Sequence, residues 1–477
     1  MKLTFLLVAV SLRLAGQTMM QQAGGAPWCA VEKPTTQAIQ AAIDQCSATG
    51  GGTAYVPPGQ YTVGPLWLKD NVELRLEAGA TLSLSQNPAD WPAGVPALVN
   101  SNGAKNIAIT GRGTIDGKAQ YEYAAMRSLD TEIAEEIEMA RKAGVEIKRY
   151  YRTGVQKYNV VLQDSREIRI EGVRLINAPL WTLRLQDCDQ VWIRGVYLYS
   201  DLEKGVNADG IDIVSTSNVL ISDSVIITAD DAICLKTQAM RNGANGSARP
   251  VRPTENITVT NSILSSSSTA MMIGTETYAD IRHVVFSNIV VRDSNKVFGI
   301  NVQDGGTVSD VRFHNVTFEL NRRHWNWWGS AEVFKFVLKK RTPQSALGRI
   351  ENIAIDGAQG TARGTALIAG HAERPLENIS IERLRVKMLA ENRPDKRATH
   401  AMTIDHVQGL TLHDVTVDWD NAAAEPAWGS ALVLRDVNDL LMNGFRGHAG
   451  SRDPAVPAVR KERVKEVIVA QNSGDVR

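Results

Sequence analysis

The stretch Asn207-Ala208-Asp209-Gly210-Ile211-Asp212-Ile213-Val214-Ser215-Thr216-Ser217-Asn218-Val219-Leu220-Ile221, closed by Thr228-Ala229-Asp230-Asp231, carries the reading of the fold. Ile211 and Ile213 alternate with polar neighbours, and Val219 and Ile221 do so again after a polar step. Period-2 alternation in runs this short marks strands. Asp209 and Asp231 are 231 − 209 = 22 residues apart. If the chain winds as a solenoid with coils of about that length, the two sit one above the other, about 4.8 Å apart at the backbone. Asp209, Asp230 and Asp231 then share one small patch. Carboxylates that close repel, so their pKa values spread: one keeps its proton while another stays ionised.

Outward from this stretch, one unit recurs: a polar residue followed by alternating apolar residues. It stands at Asn106-Ile107, Glu167-Ile168, Gln190-Val191, Asn218-Val219, Asn256-Ile257, Asp280-Ile281, Asp310-Val311, Asn352-Ile353 and Asn378-Ile379, with weaker copies at Gly409-Leu410 and Asp439-Leu440. Steps such as 191 − 168 = 23 and 281 − 257 = 24 set a floor in the low twenties, with insertions on top. Such spacing predicts an all-β chain folded as a single-stranded right-handed parallel β-helix. A coil cannot bury its inner face alone and must stack on its neighbours. A βαβ fold would need long amphipathic helices between strands, and a propeller would repeat at blade rather than coil length.

The flanks fit. Pro34 to Cys46 reads as a helix, with Ile39, Ala42, Ile43 and Cys46 on one face and Thr35 or Thr36 as N-cap. A solenoid needs a cap over its first layer, and this helix is the candidate. A rim insertion at about 118–158 contains a predicted helix from Asp130 to Ala143 and ends in Lys148-Arg149-Tyr150-Tyr151-Arg152. Gln238 to Pro253 reads as a loop. Asn321 to Gly348 carries Trp325, Trp327 and Trp328, rings able to stack on sugar faces. Long insertions on a rigid scaffold usually rim a working surface.

Residues 1–24 read as a signal peptide, with Lys2, an apolar run from Leu3 to Leu12 and small residues beyond. Residues 25–477 are then one domain, secreted or periplasmic. The formal net charge of the 477 residues is zero, which argues for neither a nucleic-acid nor a membrane partner. A monomer without cofactor or metal is expected. Of four cysteines, Cys29 and Cys46 flank the helix and form the expected disulfide, and Cys188 and Cys234 read as buried thiols.

Asp209, Asp230 and Asp231 are the catalytic candidates. Any one of them alone would pass as a corner aspartate; three at one-coil spacing point to function. Asp212 alternates with two isoleucines and is expected to point outward in a supporting role, as is Lys236. Two other readings stand beside hydrolysis. In a β-helical lyase the aspartates would hold Ca²⁺ and Lys236 would be the base. In a carbohydrate-binding scaffold they would only turn corners.

Asn207-Ala208-Asp209-Gly210-Ile211-Asp212 followed one coil later by Asp230-Asp231 resembles the signature of glycoside hydrolase family 28, the polygalacturonase family of pectin-degrading β-helices. The resemblance extends over most of the chain, including Tyr55-Val56-Pro57-Pro58-Gly59 and Val72 to Leu76. It implies an inverting hydrolase in which Asp230 is the general acid, while Asp209 and Asp231 position and deprotonate the attacking water. Two departures concern the substrate. Thr269 stands where the family carries a histidine. Asn301 and Gln303 stand in the run where it carries Arg-Ile-Lys, which grips a sugar carboxylate. Amides bond neutral hydroxyls but cannot pair a carboxylate by charge. Weak action on unbranched polygalacturonate is expected, unless Lys236, Arg282 or the Lys148–Arg152 run supplies a relocated clamp. Asn207, Asp212, Lys236, Thr269, Glu276, Arg282, Asn301, Gln303 and Trp327 complete the expected substrate-binding set.

Overall fold

Each recurring unit turns a corner. Asn106, Glu167, Gln190, Asn218, Asn256, Asp310, Asn352, Asn378 and Asp439 all have φ between 51° and 60°, a left-handed conformation that Asn and Asp tolerate best among residues with a Cβ. The apolar residue after each corner pairs in parallel with its counterpart one coil on: Ile107, Ile168, Val191, Val219, Ile257, Val284, Val311, Ile353, Ile379, Leu410 and Leu440 form one continuous stack. The structure, a computed structural model, describes residues 12–14, 17–20, 27–125, 134–145, 148–238, 250–323, 329–465 and 467–468. It is the expected right-handed parallel β-helix.

One unit was misplaced by three residues. Val284, not Ile281, pairs with Ile257, and the corner residue is His283 at φ 55°, with Nδ1 3.2 Å from Asn256 Oδ1. Asp280-Ile281 has the same local pattern and Ile281 is also buried; only the corner conformation separates the two. Outside the coils the corner side chains form a ladder: Asn256 Nδ2 donates to Asn218 Oδ1 at 3.0 Å and Asn378 Nδ2 to Asn352 Oδ1 at 3.1 Å.

Inside, stacked Val, Ile and Leu side chains are almost wholly buried, each worth about 1.5–3 kcal/mol relative to exposure. Rings thicken the middle coils: Phe313 lies 5.4 Å from Phe286, 4.4 Å from Phe298 and 6.2 Å from Phe336, centroid to centroid. Helix α1, Thr36–Ala48, caps the first coil with Ile39, Ala42, Ile43 and Cys46 buried. Thr35 is the N-cap, its side chain accepting from Ala38 N at 3.2 Å. Pro34 therefore lies before the helix, not in it. Cys29 and Cys46 are disulfide-bonded, and Cys188 and Cys234 are buried free thiols.

The rim insertion is more than a helix. Gln120–Ala125 and Lys148–Thr153 pair as an antiparallel ribbon, and α2, Ala134–Lys142, lies between them. The start of the expected Asp130–Ala143 helix, most of the Gln238–Pro253 loop, most of residues 1–24 and Trp325, Trp327 and Trp328 lie outside the described residues.

Candidate active site

The site forms at one corner of the coils, where the strand Val225–Thr228 gives way to Ile233–Thr237. Gly210 N donates to Asp231 O at 2.9 Å and Ile211 N to Ala232 O at 3.0 Å, so Asp231 lies directly over Asp209. The corner needs Gly210: a Cβ there would meet Ala232 O at 2.3 Å. One carboxylate oxygen from each of Asp209, Asp230 and Asp231 lies within 4.8 Å of the others.

Each carboxylate is held differently. Asp231 Oδ1 accepts from Ser268 Oγ at 2.8 Å and from Thr269 N at 3.0 Å. Asp230 is half-buried; its Oδ1 accepts from Asp231 N at 2.9 Å, and Asn207 Nδ2 approaches its Oδ2 at 3.5 Å. Asp209 is buried, with Oδ2 3.4 Å from Lys236 Nζ and Oδ1 without a protein partner among the described residues.

Asp212 and Lys236 do leave the apolar core side of the sheet, as alternation requires, but neither reaches solvent. Asp212 is 0% and Lys236 6% exposed. Lys236 Nζ lies 2.7 Å from Asp212 Oδ1 and 3.8 Å from the centroid of the Trp181 ring. Strand alternation tells which side a residue takes, not what covers it.

Burial, then the charge on Asp231, pushes Asp230 up to about 7. Burial likewise takes Asp212 to about 6, against the pull of Lys236. Asp209 is raised well above the usual carboxylate range by burial and by the charges of Asp212 and Asp230. Burial opposes protonation of Lys236, but Asp212 and the other acids around it prevail and hold it charged. The corner thus pairs proton-retaining carboxyls with a fixed cation.

The remaining expected residues divide. Thr269 is buried over Asp231, its backbone N–H engaged there. Glu276 is not on a surface loop: it lies in the strand Thr269–Thr277, half-buried, where its charge acts on Lys236 and Arg341. Asn301 stacks on Gly274, with Oδ1 buried and unpartnered among the described residues, and Gln303 is buried two residues on. Arg282 is on a different ladder, paired with Glu255 at 2.7 Å, and is not brought to the acids.

Two contributors escape the sequence reading, and a third is named there only as part of a run. Lys296 sits one coil above Thr269, almost fully buried, with Nζ 3.5 Å from Thr269 Oγ1 and 3.7 Å from Glu332 Oε1. It places a cation on the coil next to Thr269, on the stack that continues from Asp231. Trp181 offers a half-buried ring beside Lys236, edge-on to Tyr158 at 5.9 Å. Arg152, from the Lys148–Arg152 run named as a possible relocated clamp, folds back so that Nη1 approaches Val206 O at 3.4 Å. A 27-residue step from Thr269 to Lys296 was the one available signal, and variable coil lengths hid it.

The same oxygens of Asp209, Asp230 and Asp231 are close enough to bracket a cation, although Lys236 already brings positive charge there. The neighbouring group of Asp209, Asp212 and Cys234 is poorly suited, because burial pushes the Cys234 thiol well up and only a thiolate ligates strongly.

A stacked three-carboxylate corner on a parallel β-helix gathers groups able to hold and pass protons on one edge of the coils. Residues 46–322 match the profile of the glycosyl hydrolases family 28, and the chain belongs to that family. A probable polygalacturonase of Vitis vinifera is 26% identical over 319 residues, 61% of this chain and 59% of that protein. An exo-poly-alpha-D-galacturonosidase of Dickeya chrysanthemi is 26% identical over 321 residues, 59% of this chain and 52% of that protein. The chain thus spans only 59% and 52% of the length of these two relatives. The crystal structure of a hyperthermoactive exopolygalacturonase from Thermotoga maritima shares the fold, with a TM-score of 0.62 at 21% identity, covering 80% of this chain and 88% of that one.

Proposed function

We propose that the protein is an exported, inverting glycoside hydrolase acting on a pectic polysaccharide or oligosaccharide. The observation that carries the mechanism is the stack of Asp209, Asp230 and Asp231 with oxygens within 4.8 Å. Asp230, pushed up to about 7 and half-buried, keeps its proton up to near neutral pH and donates it to the leaving glycosidic oxygen. Asp231 is anchored through Oδ1 by Ser268 and Thr269, so its other oxygen is left to take the proton of the attacking water. Asp209 holds that water from the coil below through its unpartnered Oδ1. Inversion by single displacement rests on the resemblance to the family and not on the oxygen spacing, because carboxyl groups about 6.5–9.5 Å apart mark inverting enzymes. The names of the two sequence relatives support a galacturonate-containing substrate. Export is supported by the N-terminal apolar run and by the Cys29–Cys46 disulfide, a bond typical of oxidising compartments.

The lyase reading fares worse, because Lys236 is buried and engaged by two carboxylates, a poor position for a base that must reach a sugar proton. The test is product analysis on defined pectic oligosaccharides, with proton NMR following the anomer first released. Asp230→Asn, Asp209→Asn and Asp231→Asn should each lose on the order of 10²–10⁴ in rate. Asp223→Asn, an exposed corner residue paired with Arg194 at 3.2 Å, should not. Unsaturated products, or three site variants with near wild-type turnover, would overturn the assignment.

A further inference from the structure

Three cations stood as candidates for holding an acidic sugar, and two are otherwise occupied. Lys236 is buried between Asp212 and Asp209, and Arg282 is paired with Glu255 on another ladder. Arg152 differs from both. It rides on the strand Lys148–Thr153 of the rim ribbon, directly across from Tyr121, whose hydroxyl donates to Ala178 O at 3.3 Å. Its Nη1 donates to Val206 O at 3.4 Å, next to Asn207, whose side chain reaches Asp230. The guanidinium is half-buried and has no carboxylate partner among the described residues. Burial works against its charge, while Tyr121 and Tyr158 and then Asp209 and Asp230 favour it. An arginine stays ionised even so, and a partly desolvated cation without an anion is an arrangement that a bound anion completes.

We propose that Arg152 is the specificity residue for an acidic sugar: its guanidinium pairs with the carboxylate of a uronic acid unit bound beside Asp230. One nitrogen is held by Val206, and the rest of the fork remains to meet a planar carboxylate, a geometry that guanidinium matches with two parallel hydrogen bonds. A uronate entering the acidic corner would otherwise face Asp209, Asp230 and Asp231 with only cations already engaged by carboxylates, Lys236 and Lys296, to favour it. Arg152 offsets that repulsion from the insertion side, in the absence of charge at Asn301 and Gln303. It takes up the exception left open for the Lys148–Arg152 run, under which free-acid substrates are used despite those two amides. The inference rests on the hydrolytic reading for its purpose, but binding alone can test it.

The probes are trigalacturonic acid and its methyl ester, titrated calorimetrically at low salt into an Asp230→Asn background so that neither is consumed. Arg152→Gln in that background should weaken the acid on the order of 10- to 100-fold and leave the ester within about twofold, and Arg152→Lys should restore part of the loss. Added salt should erode the preference for the acid with Arg152 present and not in its absence. Equal loss of acid and ester would make Arg152 merely a support for the rim, and unchanged acid binding would remove it from the site; either overturns the proposal. Turnover by otherwise wild-type protein separates the two readings. Arg152-dependent acid binding without cleavage of either probe sinks the hydrolase and leaves the clamp standing. Cleavage whose acid preference survives Arg152→Gln sinks the clamp alone.

Discussion

Replacing Lys236 with methionine isolates what keeps four acids compatible in one corner. Methionine preserves much of the aliphatic contact with Trp181 while removing the charge. The Nζ distances are 2.7 Å to Asp212 and 3.4 Å to Asp209; at an effective dielectric of about 20 these correspond to gross attractions of about 6 and 5 kcal/mol. Desolvation of the three buried groups offsets most of that. Removing one partner, however, leaves carboxylates buried without compensation, which typically costs about 3–5 kcal/mol.

The pH dependence gives this its signature. An ordinary aspartate titrates near about 3.9 when unfolded, whereas folded Asp212 stands at about 6. The native state binds more protons across that interval, so the contribution of Asp212 to stability falls as pH rises through it and is level above. Without Lys236 the folded value climbs further, and the fall continues above pH 6. Lys236→Met should therefore be destabilised by about 3–5 kcal/mol at pH 8 and by much less at pH 4.5, where the carboxyls are protonated. The assay is matched denaturant unfolding of both proteins at the two pH values. An equal deficit at both would refute the electrostatic account and assign the effect to packing against Trp181.

Two further outcomes follow from the same structure. The value of about 7 for Asp230 places its acid form below neutrality, so kcat/KM on a pectic oligosaccharide should decline about tenfold per unit once pH exceeds it; a rate flat from pH 6 to 9 would remove Asp230 as the proton donor. The apparent value belongs to the coupled cluster and should move when Asp231 becomes asparagine. Phe313→Ala removes the ring touching Phe286, Phe298 and Phe336 and should cost about 3–5 kcal/mol in unfolding experiments; a loss under about 1 kcal/mol would mean that the middle coils repack freely.

Most of the fold was legible because a solenoid writes its period into the chain. The corner at Asn218 and the alternation after it recur coil by coil, and the apolar stack from Ile107 to Leu440 can be read almost directly. The failure at Asp280 shows the limit. Ile281 and Val284 are both inward, and choosing between them needs the left-handed corner at His283, which no local pattern declares. The acidic triad was legible for the same reason as the coils, since 22 residues nearly equal one turn. Lys296 was not, and Arg152 was named only within the Lys148–Arg152 run, without its place beside Asn207. One reaches the site from a later coil and the other from an insertion, and neither distance along the chain predicts distance in space.

That difference has a physical cause. Stacked coils hold equivalent residues about 4.8 Å apart, so any two acids at one-coil spacing are driven together whether or not their charges agree. A corner with Asp209, Asp212, Asp230 and Asp231 can fold only if cations arrive from elsewhere. Lys236 does so from the same coil as Asp231, turned back over Asp212. Lys296 does so from above, shared with Glu332, and Arg152 from the side, shared with no acid among the described residues. The first two are buried with carboxylates and can serve mainly the folded protein. Arg152 is the member of the three whose charge is still available to a ligand, which is why the proposed choice of sugar is placed on the rim insertion and not on the coils that carry the aspartates.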